Sequence, residues 1–159
     1  MNKSALVRKI IARLTENLGL LQKAAQASHA EATHESSKAE NKYDTRGLEA
    51  AYLAGGQARQ AKEIQDSIAA YESLTVRRFS TGEPIDLTAV VELEMDGVCS
   101  TYFIGPKAGG LEIELAGGEI LVLTPQSPLG KNLIGRKSGE RWLAELNRSK
   151  VKYHVVSVA

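Results

Sequence analysis

The sequence predicts an antiparallel coiled-coil helical hairpin followed by a small antiparallel sheet domain carrying one short helix. Three observations predict it. Apolar residues repeat in steps of three and four over two stretches of the first half, a polar segment separates those stretches, and β-prone runs bounded by turn residues take over after residue 83. A change of pattern near residue 80 in a chain of 159 residues favours two small modules: a hairpin over 1–76, a linker over 77–83, and a second domain over 84–159.

The first arm places Val7, Ile11, Leu14, Leu18, Leu21, Ala25 and Ala32 on one helical stripe, with Ser28 in the single gap. A second stripe runs through Ala50, Ala54, Gln57, Ala61, Ile64, Ile68 and Tyr71. Folding one arm on the other pairs Val7 with Tyr71, Ile11 with Ile68, Leu14 with Ile64 and Leu18 with Ala61. These pairs share a centre at about residue 39, and at about 1.5 Å per residue each arm would reach roughly 45 Å. Stripe residues are large at the base and shrink to alanine toward the tip, so burial holds the base more firmly. Gly55 and Gly56 weaken the second helix by about 1 kcal/mol each relative to alanine and are expected to mark a bend, or else a close helix approach.

The tip, residues 34–46, has no large aliphatic side chain and contains Ser36, Ser37, Asn41 and Asp44, which suit helix ends. Its charges, Lys38, Lys42 and Arg46 among them, read first as a solvated turn.

In the second half, Asp86–Glu94 and Val98–Ile104 flank Asp96-Gly97, a pair suited to a tight hairpin. Strands are also expected at Leu111–Leu115 and Ile120–Leu123, separated by Ala116-Gly117-Gly118-Glu119, and at Trp142–Leu146 and Val151–Val158. Ser127-Pro128 opens a short amphipathic segment with Leu129, Leu133 and Ile134 that stops at Gly135: a helix with an N-cap, a proline at its first position and a glycine end.

Composition narrows the function. With 20 Lys+Arg against 19 Asp+Glu, a net charge of +1 argues against a dominant polyanion surface. No run reaches the roughly 18–20 apolar residues of a membrane span, so the expectation is a soluble, cytoplasmic protein with no membrane partner. Cys99, the single cysteine, reads as a buried strand residue. His29, His34 and His154 lack metal-ligand spacing, so the chain is expected to hold no metal of its own.

The run Ser127-Pro128, Leu129-Gly130-Lys131, Leu133-Ile134-Gly135 and Gly139-Glu140 resembles the signature of the bacterial Gre transcript cleavage factors, with Arg136 where the family usually has lysine. The resemblance covers nearly the whole chain. It implies an FKBP-like second domain that docks on RNA polymerase, and a hairpin that enters the secondary channel, in indirect contact with nascent RNA. The docking residues it implies are Ser127, Pro128, Leu129, Lys131, Leu133, Ile134 and Gly135. At the tip the family carries D-x-x-E-N, whose acids help the polymerase hold a second magnesium; the chain would bring no cofactor of its own. Aligning Glu40-Asn41 with E-N puts Ser37 at the Asp position, and a second alignment puts Ser36 and Ala39 at the two acidic positions. Glu40, Asn41, Glu35 and Asp44 are therefore the tip candidates. The resemblance implies an accessory factor, expected to be monomeric, rather than an autonomous enzyme. A non-cleaving channel regulator and an FKBP-like peptide-binding or prolyl isomerase module are the alternatives. The basic residues Arg136, Lys137 and Arg141 beside the short helix suit either an acidic partner surface or plain solvation.

Overall fold

A computed structural model describes residues 2–33, 45–146 and 149–159. In chain order these form α1 (Lys3–Thr33), α2 (Arg46–Glu72), β1 (Val90–Met95), β2 (Val98–Ile104), β3 (Glu112–Leu115), β4 (Gly118–Leu123), α3 (Pro128–Leu133), β5 (Arg141–Leu146) and β6 (Ser149–Val158). The chain divides into two compact units, one made of Ile11–Glu72 and the other of Met1–Ile10 together with Ser73–Ala159. The first ten residues thus pack with the sheet, although they continue the same helix as the first arm.

Within the helical unit the buried positions follow the predicted stripes, apart from Ser67, which is buried off the second one. Leu14 and Ser28 are buried on α1, with Ile11, Leu18, Leu21 and Ala25 half-buried along the same stripe. On α2, Ala61 and Tyr71 are buried and Ala54, Gln57, Ile64 and Ile68 are half-buried. Burial lifts the Tyr71 phenol well above its ordinary pKa. Gly55 and Gly56 lie inside one uninterrupted helix, and a methyl group at either would meet nothing within 4 Å. No close approach of another segment calls for glycine at either position. Asn2 begins α1, its Oδ1 accepting from the Ala5 amide at 3.0 Å. Thr45 precedes α2, and its hydroxyl donates to Glu49 at 3.0 Å, where the acid also favours the positive end of the helix.

The sheet has the order β3-β4-β2-β1-β6-β5. All neighbours are antiparallel except β2 and β4, which run parallel with Thr101 opposite Ile120 and Ile104 opposite Leu123. The sheet is thus mainly antiparallel, as expected, with one parallel pair: the chain leaves β2, forms β3 at the edge, and a hairpin then sends β4 back along β2. The first strand also starts later than expected, at Val90 instead of Asp86. Thr88 holds a positive φ of 72°, which breaks extended structure ahead of the strand. Asp96-Gly97 turns the β1–β2 hairpin with both φ angles positive, 48° and 87°, as a two-residue turn of this hand requires. Ala116 and Gly117 turn β3 into β4 in the same way, so Gly118 and Glu119 belong to the strand and not to the loop.

One sheet face carries the main core. Val91, Leu93, Tyr102, Ile104, Tyr153 and Val155 pack with Ile85 and with Leu133 of α3. Alternate positions Val90, Phe103, Ile113, Ile120 and Val122 are buried on the other face. The start of α1 lies with this unit: Leu6 and Ile10 are fully buried, and the Lys9 ammonium donates to the Glu114 carbonyl at 2.7 Å. Burial does not extend over the whole face. Glu94, His154 and Arg141 form a cross-strand row beyond it, with Glu94 also opposite Cys99. Cys99 is accordingly exposed, correcting its reading as a buried residue.

Candidate functional site

The signature segment folds as a turn, a single helical turn and a second turn. Ser127 makes the first. Its hydroxyl donates to the Thr124 carbonyl at 2.8 Å and accepts from the Gly130 amide at 3.0 Å, so one side chain closes the loop and caps α3. Pro128 occupies the first helical position, where no amide hydrogen is needed. At Gly130 the backbone approaches so closely that an added Cβ would stand 2.0 Å from the Thr124 oxygen. Leu133 is fully buried in the core, and Leu129 packs against it.

After α3 the chain reverses. Ile134 closes the helix by donating its amide to the Gly130 carbonyl at 2.9 Å, and Gly135 takes a φ of 84°. Gly135 and Arg136 then exchange backbone hydrogen bonds with Ile85, at 2.8 and 2.7 Å. These tie the segment to the chain entering β1. Gly139, with φ 87°, donates to Val155, and Glu140 accepts from Val155 through its own carbonyl. The Glu140 carboxylate accepts from the Lys137 amide at 2.9 Å and pairs with Arg136 at 3.3 Å.

Of the seven residues the resemblance marks for docking, only Pro128, Lys131 and Ile134 present exposed side chains. Ser127, Leu133 and Gly135 hold the segment in shape, and Leu129 supports it from below. Gly130 and Glu140, also in the signature, do the same structural work. The tip candidates Glu35, Glu40, Asn41 and Asp44 lie outside the described residues, as do Ser36 and Ser37.

Sequence reasoning missed the part Arg136 plays. Its guanidinium lies 3.8 Å over the Trp142 ring, which stacks in turn on Tyr153 with centroids 5.0 Å apart and planes 9° from parallel. Nε of the same arginine donates to the Asn132 carbonyl at 2.6 Å. A planar guanidinium can lie flat on the ring and donate from its edge, a geometry that a lysine ammonium, which has no plane, does not offer. The available signal was the arginine standing where the signature has lysine, six residues before the domain's single tryptophan.

A shallow cleft of about 440 Å³ opens beside this stack, lined by Glu94, Arg141, Trp142, Leu143, Lys152, Tyr153 and His154. His154 Nδ1 lies 3.2 Å from a Glu94 oxygen, and Leu143 is exposed at the sheet edge. The lining combines charged, aromatic and aliphatic side chains. Among the described residues no group of three His, Cys, Asp or Glu side chains is placed to hold a metal ion, and no helix is long and apolar enough to cross a membrane.

No family model and no curated protein matches the chain. Among solved structures it is similar to the GreA factor homolog 1 (Gfh1) of Thermus thermophilus, at 22% identity over 94% of each chain with a TM-score of 0.37. It is similar to Thermus aquaticus Gfh1 at 24% identity, over 95% of this chain and 94% of that one, with a TM-score of 0.38. The prokaryotic transcription elongation factor GreA/GreB from Nitrosomonas europaea aligns at 16% identity over 74% of this chain and 94% of its own, with a TM-score of 0.33. At such identities and TM-scores the functional reading rests on the signature segment and on the two-part architecture.

Proposed function

We propose that the protein is a Gre-like transcription elongation factor that binds bacterial RNA polymerase and inserts its helical hairpin through the secondary channel to act on paused or backtracked complexes. The observation that carries this reading is the signature segment. Its residues take positions that call for their own chemistry: a serine that caps and closes a loop, a glycine against a carbonyl, a glycine at positive φ, and a glutamate that caps the last turn. Docking then falls to the exposed Pro128, Lys131 and Ile134 on this rigid support. The chain works in the cytoplasm, where the polymerase is, and acts as an accessory: any hydrolysis is the polymerase's own, with the polymerase's magnesium.

Whether the tip supports cleavage turns on the missing acid. A serine hydroxyl at position 37 is an uncharged, weaker magnesium ligand than a carboxylate, which favours a factor that occupies the channel without stimulating cleavage. Backtracked complexes with magnesium, treated with the native protein, Glu40→Ala and Ser37→Asp, test the two versions while polymerase binding is followed in parallel. RNA shortening that disappears with Glu40→Ala establishes the cleavage version. Binding without shortening, with shortening gained in Ser37→Asp, establishes the regulator. Absence of polymerase binding would overturn both.

The peptide-binding alternative finds less support. Tyr102 and Tyr153 are buried in the core, Phe103 is fully buried, and Trp142 is sandwiched between Arg136 and Tyr153. An isomerase pocket needs aromatic faces free to receive a proline.

A further inference from the structure

The two edges of the sheet, β3 and β5, are built differently. An edge strand offers unpaired backbone groups to any second strand, so its length, charge and cover decide whether it pairs. β3 is four residues long, carries Glu112 and Glu114, and its Glu114 carbonyl already accepts from Lys9. Two copies of β3 set side by side would bring acid against acid. β5 is six residues long, keeps an unbroken register with β6, and contains neither proline nor glycine.

The direction of the β5 backbone groups follows from β6. Lys152, the partner of Leu143, spends both of its backbone groups on the β1 side: its carbonyl accepts from the Asp96 amide at 3.0 Å, and its amide donates to the Asp96 carboxylate at 2.8 Å. Leu143 and Lys152 are therefore a pair without mutual hydrogen bonds. Just before the strand, the Glu140 carbonyl accepts from the Val155 amide at 2.9 Å, so the even-numbered residues turn toward β6. Arg141, Leu143 and Glu145 then turn their amides and carbonyls to the open edge, and their exposed side chains share one face of the sheet.

We propose that β5 is a self-association edge, on which a second copy of this chain pairs its own β5 antiparallel about a two-fold axis at Leu143. In that register Leu143 meets the second copy's Leu143, Arg141 meets its Glu145, and Glu145 meets its Arg141. Each of these pairs exchanges both of its backbone hydrogen bonds. A slip of one residue would oppose side chains that lie on different faces, and a slip of two would set Leu143 against Arg141 or Glu145. The run Arg141-Trp-Leu-Ala-Glu145 is thus complementary to itself in charge and shape when centred on Leu143. Leu143, 62% exposed in the single chain, is covered by its own copy. The charges flanking it fix the register more than they add affinity. This arrangement departs from the monomer that the family resemblance implies. Contact along one strand lies at the small end of protein interfaces, so association is reversible, with a dissociation constant on the order of tens of micromolar.

Sedimentation velocity of the full-length protein, from about 5 µM to about 500 µM, reads this association. The sedimentation coefficient of the native protein should rise across the range to that of a dimer. Arg141→Glu sets acid against acid and Glu145→Arg sets base against base, twice in each dimer, and either change should weaken association at least about tenfold. An equimolar mixture of the two variants restores opposite charges at both places and should associate as the native protein does. Both positions are exposed, and circular dichroism should show both variants folded. A native protein that stays monomeric throughout the range, a dimer untouched by either substitution, or a mixture no better associated than its components overturns the proposal. The mixture decides even if one variant is less stable, because loss of folding in a component would not be repaired by mixing.

Discussion

A methyl group at Gly130 would stand 2.0 Å from the Thr124 oxygen and 2.8 Å from the Ser127 hydroxyl, and backbone cannot yield as a flexible side chain can. Gly130→Ala is therefore expected to cost about 3 kcal/mol, by the strain of overpacking, where Ser127→Ala, which loses the cap and the hydrogen bond to the Thr124 carbonyl, should cost about 1–2 kcal/mol. Urea unfolding followed by circular dichroism measures both; equal costs would mean that the close approach relaxes freely. Lys3 provides a second test, of sign. Its folded-state pKa lies below its unfolded one, so between about pH 8 and 10 the unfolded chain binds the extra proton, and stability contributed by this residue rises with pH in that window. The difference in unfolding free energy between the native protein and Lys3→Met should accordingly shift in favour of the native protein from pH 8 to 10. Taking the difference cancels the opposite trend of buried Tyr71, whose raised pKa makes its contribution fade above about pH 10. A flat difference across the window would remove Lys3 as the source.

Among the elements, the second arm is the most open to improvement. Gly55 and Gly56 lie in the interior of α2 with open space where a Cβ would be, so neither a turn nor a close contact calls for glycine there. Gly55→Ala and Gly56→Ala should each stabilise the protein by about 0.5–1 kcal/mol through lower chain entropy in the unfolded state. Thermal melting checks this, and a lower melting temperature in either variant would show that the glycines serve a packing purpose. How much of the structure was legible from the sequence follows the same division. Three- and four-residue steps located the stripes because a two-helix interface repeats the same burial requirement every turn. Asp96-Gly97 and Ser127-Pro128 were legible because their local chemistry suits one backbone shape. The parallel pairing of β2 with β4 and the exposure of Cys99 were not, since both depend on which distant segment lies alongside. Thr88 at positive φ is harder still: no local rule selects a β-branched residue there, and its place is held by hydrogen bonds to Ile104 and Arg77. In the candidate site the pattern marked a segment but not the division of labour inside it. Letters alone do not separate Leu133, which fills the core, from Ile134, which faces water.

At the scale of the molecule, the compact unit containing the sheet is discontinuous in sequence. Its boundary lies after Ile10 and resumes at Ser73, so the chain must leave this unit through α1 and return to it before the strands begin. The ten residues contribute more than their number suggests: Leu6 and Ile10 are fully buried, Lys9 donates to Glu114, and Lys3 closes on Arg77 and Phe79. Removing them takes the fully buried Leu6 and Ile10 out of the unit, and buried side chains of this size are each worth about 1.5–3 kcal/mol. A fragment cut at the boundary the sequence pattern suggests, residues 84–159, should therefore be poorly soluble or bind the dye ANS strongly. A fragment that joins residues 1–10 to 73–159 through a short flexible linker should unfold cooperatively. The comparison is decided by denaturant unfolding and ANS fluorescence of the two. Cooperative unfolding of 84–159 with no excess dye binding would mean that the sheet is self-sufficient, and that the start of α1 only rests on a surface stable without it.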